Sequence, residues 1–369
     1  MKTRWPTWWI IWKRQRNRNN GKEDMNMKGI VKTKPEVGAV FCTDLPVPEY
    51  GKRDILVKVM ATAICGTDQH IYKWTDYCVR QRIPIPMVFG HEFSGEVVAV
   101  GADVTEVKIG DHVAGETHIP CNHCIMCETD NRHICNNMKI IGVHVPGAFA
   151  DYIAFPVDCA YKIPKSMDWK YGAMLEPMGV GVHGVDVSDV KGKKVVIYGC
   201  GPIGLMAVAA AKGFGADAVC AVDVFDDKLA LAKQVGADLI VNSKTGDPKQ
   251  VVQQMQRHGA DVVIDYTGSA AAITAGFGLL RKGGTFSLVG LPNGDVPLNL
   301  ADMVIYKEAV VHGVTGRLMY KTWQQCDELL TSGKVKLDPV IGGEYAMKDF
   351  DKAFDAIFGG APGKMLLMP

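Results

Sequence analysis

No stretch of this chain offers eighteen consecutive apolar residues, so nothing in it reads as a membrane-spanning helix. Net charge is almost absent as well. The 41 Lys and Arg face 40 Asp and Glu, a balance of +1 that draws neither nucleic acid nor an anionic lipid surface onto the whole molecule. A small-molecule substrate is therefore expected, with no nucleic-acid and no membrane partner. There is no secretory signal: the apolar run from Trp8 to Trp12 is too short for a signal core, and no Ala-x-Ala site follows it. Eleven cysteines without such a signal read as thiols and metal ligands in a reducing compartment, not as a disulfide framework, so a cytoplasmic protein is expected. No internal repeat or low-complexity tract interrupts the chain after its first 26 residues.

What is present is core. With 369 residues, 47% hydrophobic and 22% charged, the chain has material for two domains, and its 40 glycines suit an α/β protein with many tight strand-to-helix turns. The segment 1–26 stands apart, with seven Lys or Arg against Glu23 and Asp24 and four of the seven tryptophans. Met27 opens a strand pattern, Gly29-Ile-Val-Lys-Thr, and translation is expected to start there. From 27 to 178 short β-like runs (Ile55–Val59, Val97–Val100, His112–Ala114, Tyr152–Ala154) are split by Gly and Pro, predicting a mostly β catalytic domain with few helices. From 179 to 316 six apolar runs occur: Val195–Tyr198, Val219–Asp223, Leu239–Val241, Val262–Asp265, Thr285–Val289 and Val310–Val314. Helical stretches separate the first five, predicting a doubly wound parallel α/β sheet. Residues 317–369, ending in a strand at Lys364–Met368, are expected to return to the first domain.

Val195-Val-Ile-Tyr-Gly-Cys-Gly-Pro-Ile-Gly204 is a strand running into G-x-G-x-x-G and an alanine-rich helix. Gly199 permits the turn, Gly201 lets backbone approach a pyrophosphate, Gly204 lets helix pack on strand, and the helix N-terminus offers free N–H groups to phosphate. Asp223 ends the next strand, 24 residues after Gly199, where a carboxylate accepts hydrogen bonds from a ribose and repels a 2′-phosphate. NAD is therefore expected over NADP, with Lys228 as a further ribose contact. Cys121, Cys124, Cys127 and Cys135 stand in C-x2-C-x2-C-x7-C spacing. Four thiolates within fifteen residues predict a closed tetrahedral zinc site with no position left for substrate, hence structural. An iron–sulfur cluster of the ferredoxin type would prefer three residues before the last cysteine and a proline after it. A second group, Cys65, His91 and Glu92, offers one sulfur, one nitrogen and one oxygen, a mixed set that leaves room for a reacting oxygen. Two zinc ions per chain are expected.

Gly90-His-Glu-Phe-Ser-Gly-Glu-Val-Val-Ala-Val-Gly-Ala-Asp-Val104 resembles the zinc signature of the zinc-dependent medium-chain dehydrogenases, and the resemblance covers residues 27–369. It implies a Rossmann NAD-binding domain beside a GroES-like catalytic domain, and a homotetramer. It also implies that Cys65, His91 and Glu92 bind the catalytic zinc, that Thr67 and His70 relay a proton, and that Glu176 sits beside the metal. Pro202, Ile203, Val289, Gly290, Leu291, Val314 and Thr315 join the cofactor residues. Within the family, Thr62–Trp74, Ile85–Val88 and Gly316–Trp323 are similar to the enzymes acting on threonine, where His118 matches a histidine lining the substrate pocket. Glu176-Pro-Met-Gly-Val-Gly-Val-His183 is more similar to the polyol and butanediol dehydrogenases. The implied reaction is oxidation of a secondary alcohol. From a different class, a noncatalytic nucleotide- or nucleic-acid-binding protein remains as the alternative.

Overall fold

The computed structural model describes residues 26–369; the tryptophan-rich segment before Asn26 lies outside the described residues. The chain opens with β1 (Asn26–Lys32), β2 (Val40–Pro46) and β3 (Asp54–Ala63), followed by α1 (Gly66–Lys73) and α2 (Asp76–Arg80). Next come β4 (Met87–Val88), β5 (Glu92–Val100), β6 (His112–Gly115) and β7 (His118–Ile119), and then α3 (Ile125–Glu128), β8 (Lys139–Ile140), β9 (Tyr152–Pro156) and β10 (Ala160–Lys162). A seven-stranded sheet forms the heart of this β-rich part, in the order β10-β6-β5-β3 with β9 also paired to β3. Strand β3 is buried on both faces along most of its length, because β5 and β9 flank it and helices cover it. At Gly95 a Cβ would lie 2.1 Å from the Lys58 carbonyl, so only glycine lets β5 approach β3 so closely.

The long helix α4 (Trp169–Val187) differs from the sequence expectation: it starts before the domain boundary drawn at 178/179 and carries Pro177 in its interior. It is capped by Asp168, whose carboxylate accepts from the Lys170 N–H at 2.9 Å. Sequence pattern hid it because it is apolar all round. It lies between the two sheets, against β5 and β3 on one side and α5 on the other, so no polar stripe marks its period.

The remainder alternates as expected: β11 (Lys194–Tyr198), α5 (Pro202–Gly213), β12 (Ala218–Asp223), α6 (Asp226–Gln234), β13 (Leu239–Asn242), α7 (Pro248–Met255), β14 (Ala260–Asp265), α8 (Ala270–Leu279), β15 (Leu280–Leu288) and β16 (Val310–Gly313). All six strands are parallel in the order β13-β12-β11-β14-β15-β16. Their direction of progression reverses between β11 and β14, which opens a crevice at the carboxyl ends of those strands. After α9 (Lys321–Thr331), β17 (Ile341–Ala346) and α10 (Phe350–Phe358), the final strand β18 (Lys364–Met368) pairs with β3 and extends the first sheet.

Candidate active site

Strand register builds the first cluster. Ala63 at the end of β3 lies opposite Glu92 at the start of β5, so Cys65, two residues beyond Ala63, meets His91 and Glu92 at one end of the sheet. Gly90 makes the approach possible: its φ is +87°, and a Cβ there would sit 2.2 Å from the Phe149 ring. One ligand atom from each of Cys65, His91 and Glu92 falls within 4.8 Å of the others. Asp68, in the first turn of α1, ties the group together. One of its oxygens accepts from the Cys65 N–H at 2.8 Å, and the other lies 3.6 Å from His91 Nδ1, leaving Nε2 to face a metal. Glu92 Oε1 accepts from the Lys364 ammonium at 2.6 Å, whereas Glu92 Oε2 is buried without a hydrogen-bond partner. Burial pushes the Glu92 carboxyl up to about 7 against the pull of Lys364. Burial pulls His91 down, yet the charges of Asp68 and Cys65 prevail and hold it near 10. A buried thiol, imidazole and carboxylate with an unused oxygen fit a divalent cation.

Thr67 and His70 lie three residues apart on α1; His70 is exposed and its Nδ1 is 2.9 Å from Thr75 Oγ1. The Tyr77 ring packs 5.3 Å from His70. Glu176 is not part of the trio. It sits on α4, buried, with Oε1 2.8 Å from Arg317 Nη1, and its charge is felt at Asp68 and Glu92. Arg317, wholly buried, also grips Glu116, which accepts in addition from the Trp323 Nε1–H and the His118 N–H, both at 2.8 Å. His118 Nδ1 lies 3.3 Å from the same carboxylate. Sequence reading assigned His118 and Glu176 separately. The structure joins them through Glu116 and Arg317, to which it gave no role, and through the Trp323 indole. The available signal was Glu116 two residues before His118, and a lone arginine after Gly316 in an otherwise uncharged turn.

Cys121, Cys124, Cys127 and Cys135 also bring their sulfurs within 4.8 Å of one another. Cys124 Sγ is 3.6 Å from Cys127 Sγ and 3.8 Å from Cys135 Sγ, well outside disulfide bonding. Backbone N–H groups of Cys121 and Asn137 point at Cys135 Sγ at 3.2 and 3.3 Å, the arrangement that stabilises thiolates for a metal.

The glycine loop joins β11 to α5. Gly199 has φ +92°, and a Cβ on Gly204 would lie 1.8 Å from the Gly199 carbonyl. At Gly201, by contrast, a Cβ would meet nothing within 4 Å, which leaves the N-terminus of α5 open to a phosphate. Asp223 ends β12, with its carboxylate accepting from the N–H groups of Cys200, Val224 and Phe225 at 2.7–3.1 Å. Lys228 lies 4.6 Å over the Phe225 ring. Val289 and Gly290 both donate to the Asp265 carbonyl, Leu291 is 83% exposed, and Val314 and Thr315 follow β16. Gly201, Pro202, Ile203 and Lys228 line one cavity of about 290 Å³ together with Cys65, Gln69 and Lys364. Cys65 and the glycine loop therefore open onto the same space.

The profile of the alcohol dehydrogenase GroES-like domain matches residues 51–165, and that of zinc-binding dehydrogenases matches residues 202–332. The L-threonine 3-dehydrogenase of Bacillus subtilis (strain 168) is 42% identical over 93% of this chain and 99% of its own length. The chain belongs to the zinc-binding dehydrogenases. Among solved structures, a zinc-binding dehydrogenase from Sinorhizobium meliloti 1021 bound to NADP superposes with a TM-score of 0.84 at 29% identity, covering 94% of this chain and all of that one. The 2R,3R-butanediol dehydrogenase of Bacillus subtilis superposes equally well, at 0.84 and 26% identity, over 93% of this chain and 100% of its own. A zinc-binding dehydrogenase acts with zinc and a nicotinamide cofactor on a small-molecule alcohol, the chemistry for which the mixed trio and the glycine loop are suited. No helix among the described residues is long and apolar enough to cross a membrane.

Proposed function

We propose that this chain oxidises the C3 hydroxyl of L-threonine to 2-amino-3-oxobutanoate with NAD as the hydride acceptor. The observation that carries the reading is the shared cavity of Cys65 and the glycine loop, which brings a Lewis-acid site and a hydride acceptor to one substrate. The Bacillus relative supports threonine as that substrate. Cys65, His91 and Glu92 would hold a zinc ion that would supply an electrophile lowering the pKa of a substrate hydroxyl, and the glycine loop would hold NAD, which would supply the hydride acceptor. Thr67 would relay the hydroxyl proton, accepting it as it gives up its own toward exposed His70, which would pass a proton to solvent. Arg317 orients Glu176 through a 2.8 Å ion pair. His118, braced by Glu116, holds the substrate's charged end. The alcohol carbon loses a hydride to the cofactor and its oxygen loses a proton, leaving the ketone.

The four-cysteine lobe takes the second, structural zinc in this reading. Cytoplasmic placement accords with its free thiols. Homotetramer assembly is supported by the outer edge of β16, where Val310 and Val311 stand exposed near Ile305 and Tyr306.

The polyol reading draws on the Glu176–His183 segment. Its glycines serve packing: a Cβ on Gly179 would lie 3.0 Å from the Arg317 side chain, and one on Gly181 would lie 3.0 Å from the Ile203 carbonyl. The segment therefore reports on how α4 fits its neighbours more than on which substrate is bound. Steady-state rates with L-threonine, sorbitol and 2,3-butanediol decide the matter. Threonine is expected to give the highest kcat/KM, and a tenfold advantage for either polyol, about 1.4 kcal/mol in the transition state, overturns the assignment. NAD should exceed NADP in kcat/KM because Asp223 would face a 2′-phosphate. Asp223→Ser should narrow that ratio, and equal values in the native protein would show that Asp223 does not face the ribose.

A further inference from the structure

The C-terminal strand brings a lysine into the metal site. Lys364 opens β18, and its side chain is only 4% exposed, with Glu92, wholly buried, as the carboxylate it meets. The bond is 2.6 Å long and uses Glu92 Oε1 alone; Oε2 of the same carboxylate is buried and unpartnered, and a carboxylate oxygen of Glu92 lies within 4.8 Å of a ligand atom on each of Cys65 and His91. A buried ammonium is costly to desolvate, and a packed apolar side chain of similar volume is often as stabilising. Two structural facts bear on what Lys364 does there. The pairing of β18 with β3 places Lys364 at the end of the sheet where Ala63 meets Glu92, and Lys364 lines the cavity that Cys65 shares with the glycine loop.

We propose that Lys364 is a positioning residue for the mixed metal site: it occupies Glu92 Oε1 and thereby presents Oε2 as the single ligand oxygen, so that the catalytic site is complete only when the last strand has docked. The inference rests on the reading of Cys65, His91 and Glu92 as metal ligands. Asp68 does for His91 what Lys364 does for Glu92, each fixing the ligand's far atom. The thiolate lobe draws its four ligands from the separate segment Cys121–Cys135 and so serves as an internal control for folding.

The test is zinc content and zinc affinity, measured by chelator competition on the purified full chain. The native protein is expected to hold two zinc ions per chain. Lys364→Met should retain the thiolate zinc and bind the second about 10–100-fold more weakly, the usual effect of removing a partner of a metal ligand. Lys364→Arg, which keeps a cation at Oε1, should restore most of that affinity. Loss of both ions in Lys364→Met would mean a folding defect, and Lys364→Arg then carries the decision: two tightly held ions support the proposal, and a weakened mixed site overturns it. Two tightly bound zinc ions in folded Lys364→Met also overturn it, leaving Lys364 a structural pair. A native protein that never holds more than the thiolate zinc would instead sink the metal reading on which it stands.

Discussion

Cys65→Ser should lower kcat on the order of 10³-fold or more, because a Lewis acid in contact with the reacting oxygen contributes several kcal/mol to the transition state and each 1.36 kcal/mol is a factor of ten. Serine keeps the N-cap geometry of α1, so the fold and the Asp68 hydrogen bond should survive. What changes is the ligand: an alcohol replaces a thiolate in a set that, among the described residues, has no fourth His, Cys, Asp or Glu grouped with it. NAD binding, measured by the fluorescence of the reduced cofactor, should remain within a few-fold of native, since the glycine loop and Asp223 are untouched. Cys124→Ser gives the opposite pattern. It should lower the thermal midpoint and release zinc, while protein that remains folded turns over at a rate near native. Activity within tenfold of native in Cys65→Ser would remove the mixed trio from the chemistry.

That contrast between two cysteines was legible in the sequence because metal sites are written in spacing. C-x2-C-x2-C-x7-C requires four sulfurs on one short loop, and G-x-G-x-x-G after an apolar strand fixes a turn whose three glycines differ in their surroundings at Gly199, Gly201 and Gly204. The strands of the parallel sheet were legible for a related reason: both faces are buried, so each reads as an unbroken apolar run. Helix α4 was not, since burial on all sides erased its period and Pro177 imitated a boundary. Nor were the groups that steady the site. Lys364, Asp68, Glu116 and Arg317 act through partners between 23 and 272 positions away, beside near neighbours such as Cys65 for Asp68 and His118 for Glu116, and no local pattern encodes which distant charge a carboxylate will meet. Lys364 looks like any lysine before a strand until β18 is paired with β3.

Glu116 carries the second large effect. One buried carboxylate takes the Arg317 guanidinium, the Trp323 indole N–H and the His118 backbone N–H, so Glu116→Ala leaves an arginine without one of its two carboxylates and an indole without an acceptor, all within the interior. Breaking a buried pair in this way costs about 3–5 kcal/mol of folding stability. Glu116→Gln keeps an acceptor and should cost less, yet it surrenders the charge that braces His118, so KM for threonine should rise more than kcat falls. The pH dependence has a definite sign. Burial pushes the Glu116 carboxyl up, but Arg317 and His118 outweigh it and hold the group at about 2, against an ordinary value of 4.5. A folded-state value below the unfolded one means that the unfolded chain takes the proton first as pH falls. The charge's contribution is then complete above the ordinary range and drains away between 4.5 and about 2. Denaturant midpoints of the native protein and Glu116→Gln should therefore lie furthest apart near neutral pH and converge through that acid window. A gap that stays constant with pH would show that Glu116 acts in the native fold as a neutral hydrogen-bond acceptor, and that Arg317 finds its counter-charge in Glu176 alone.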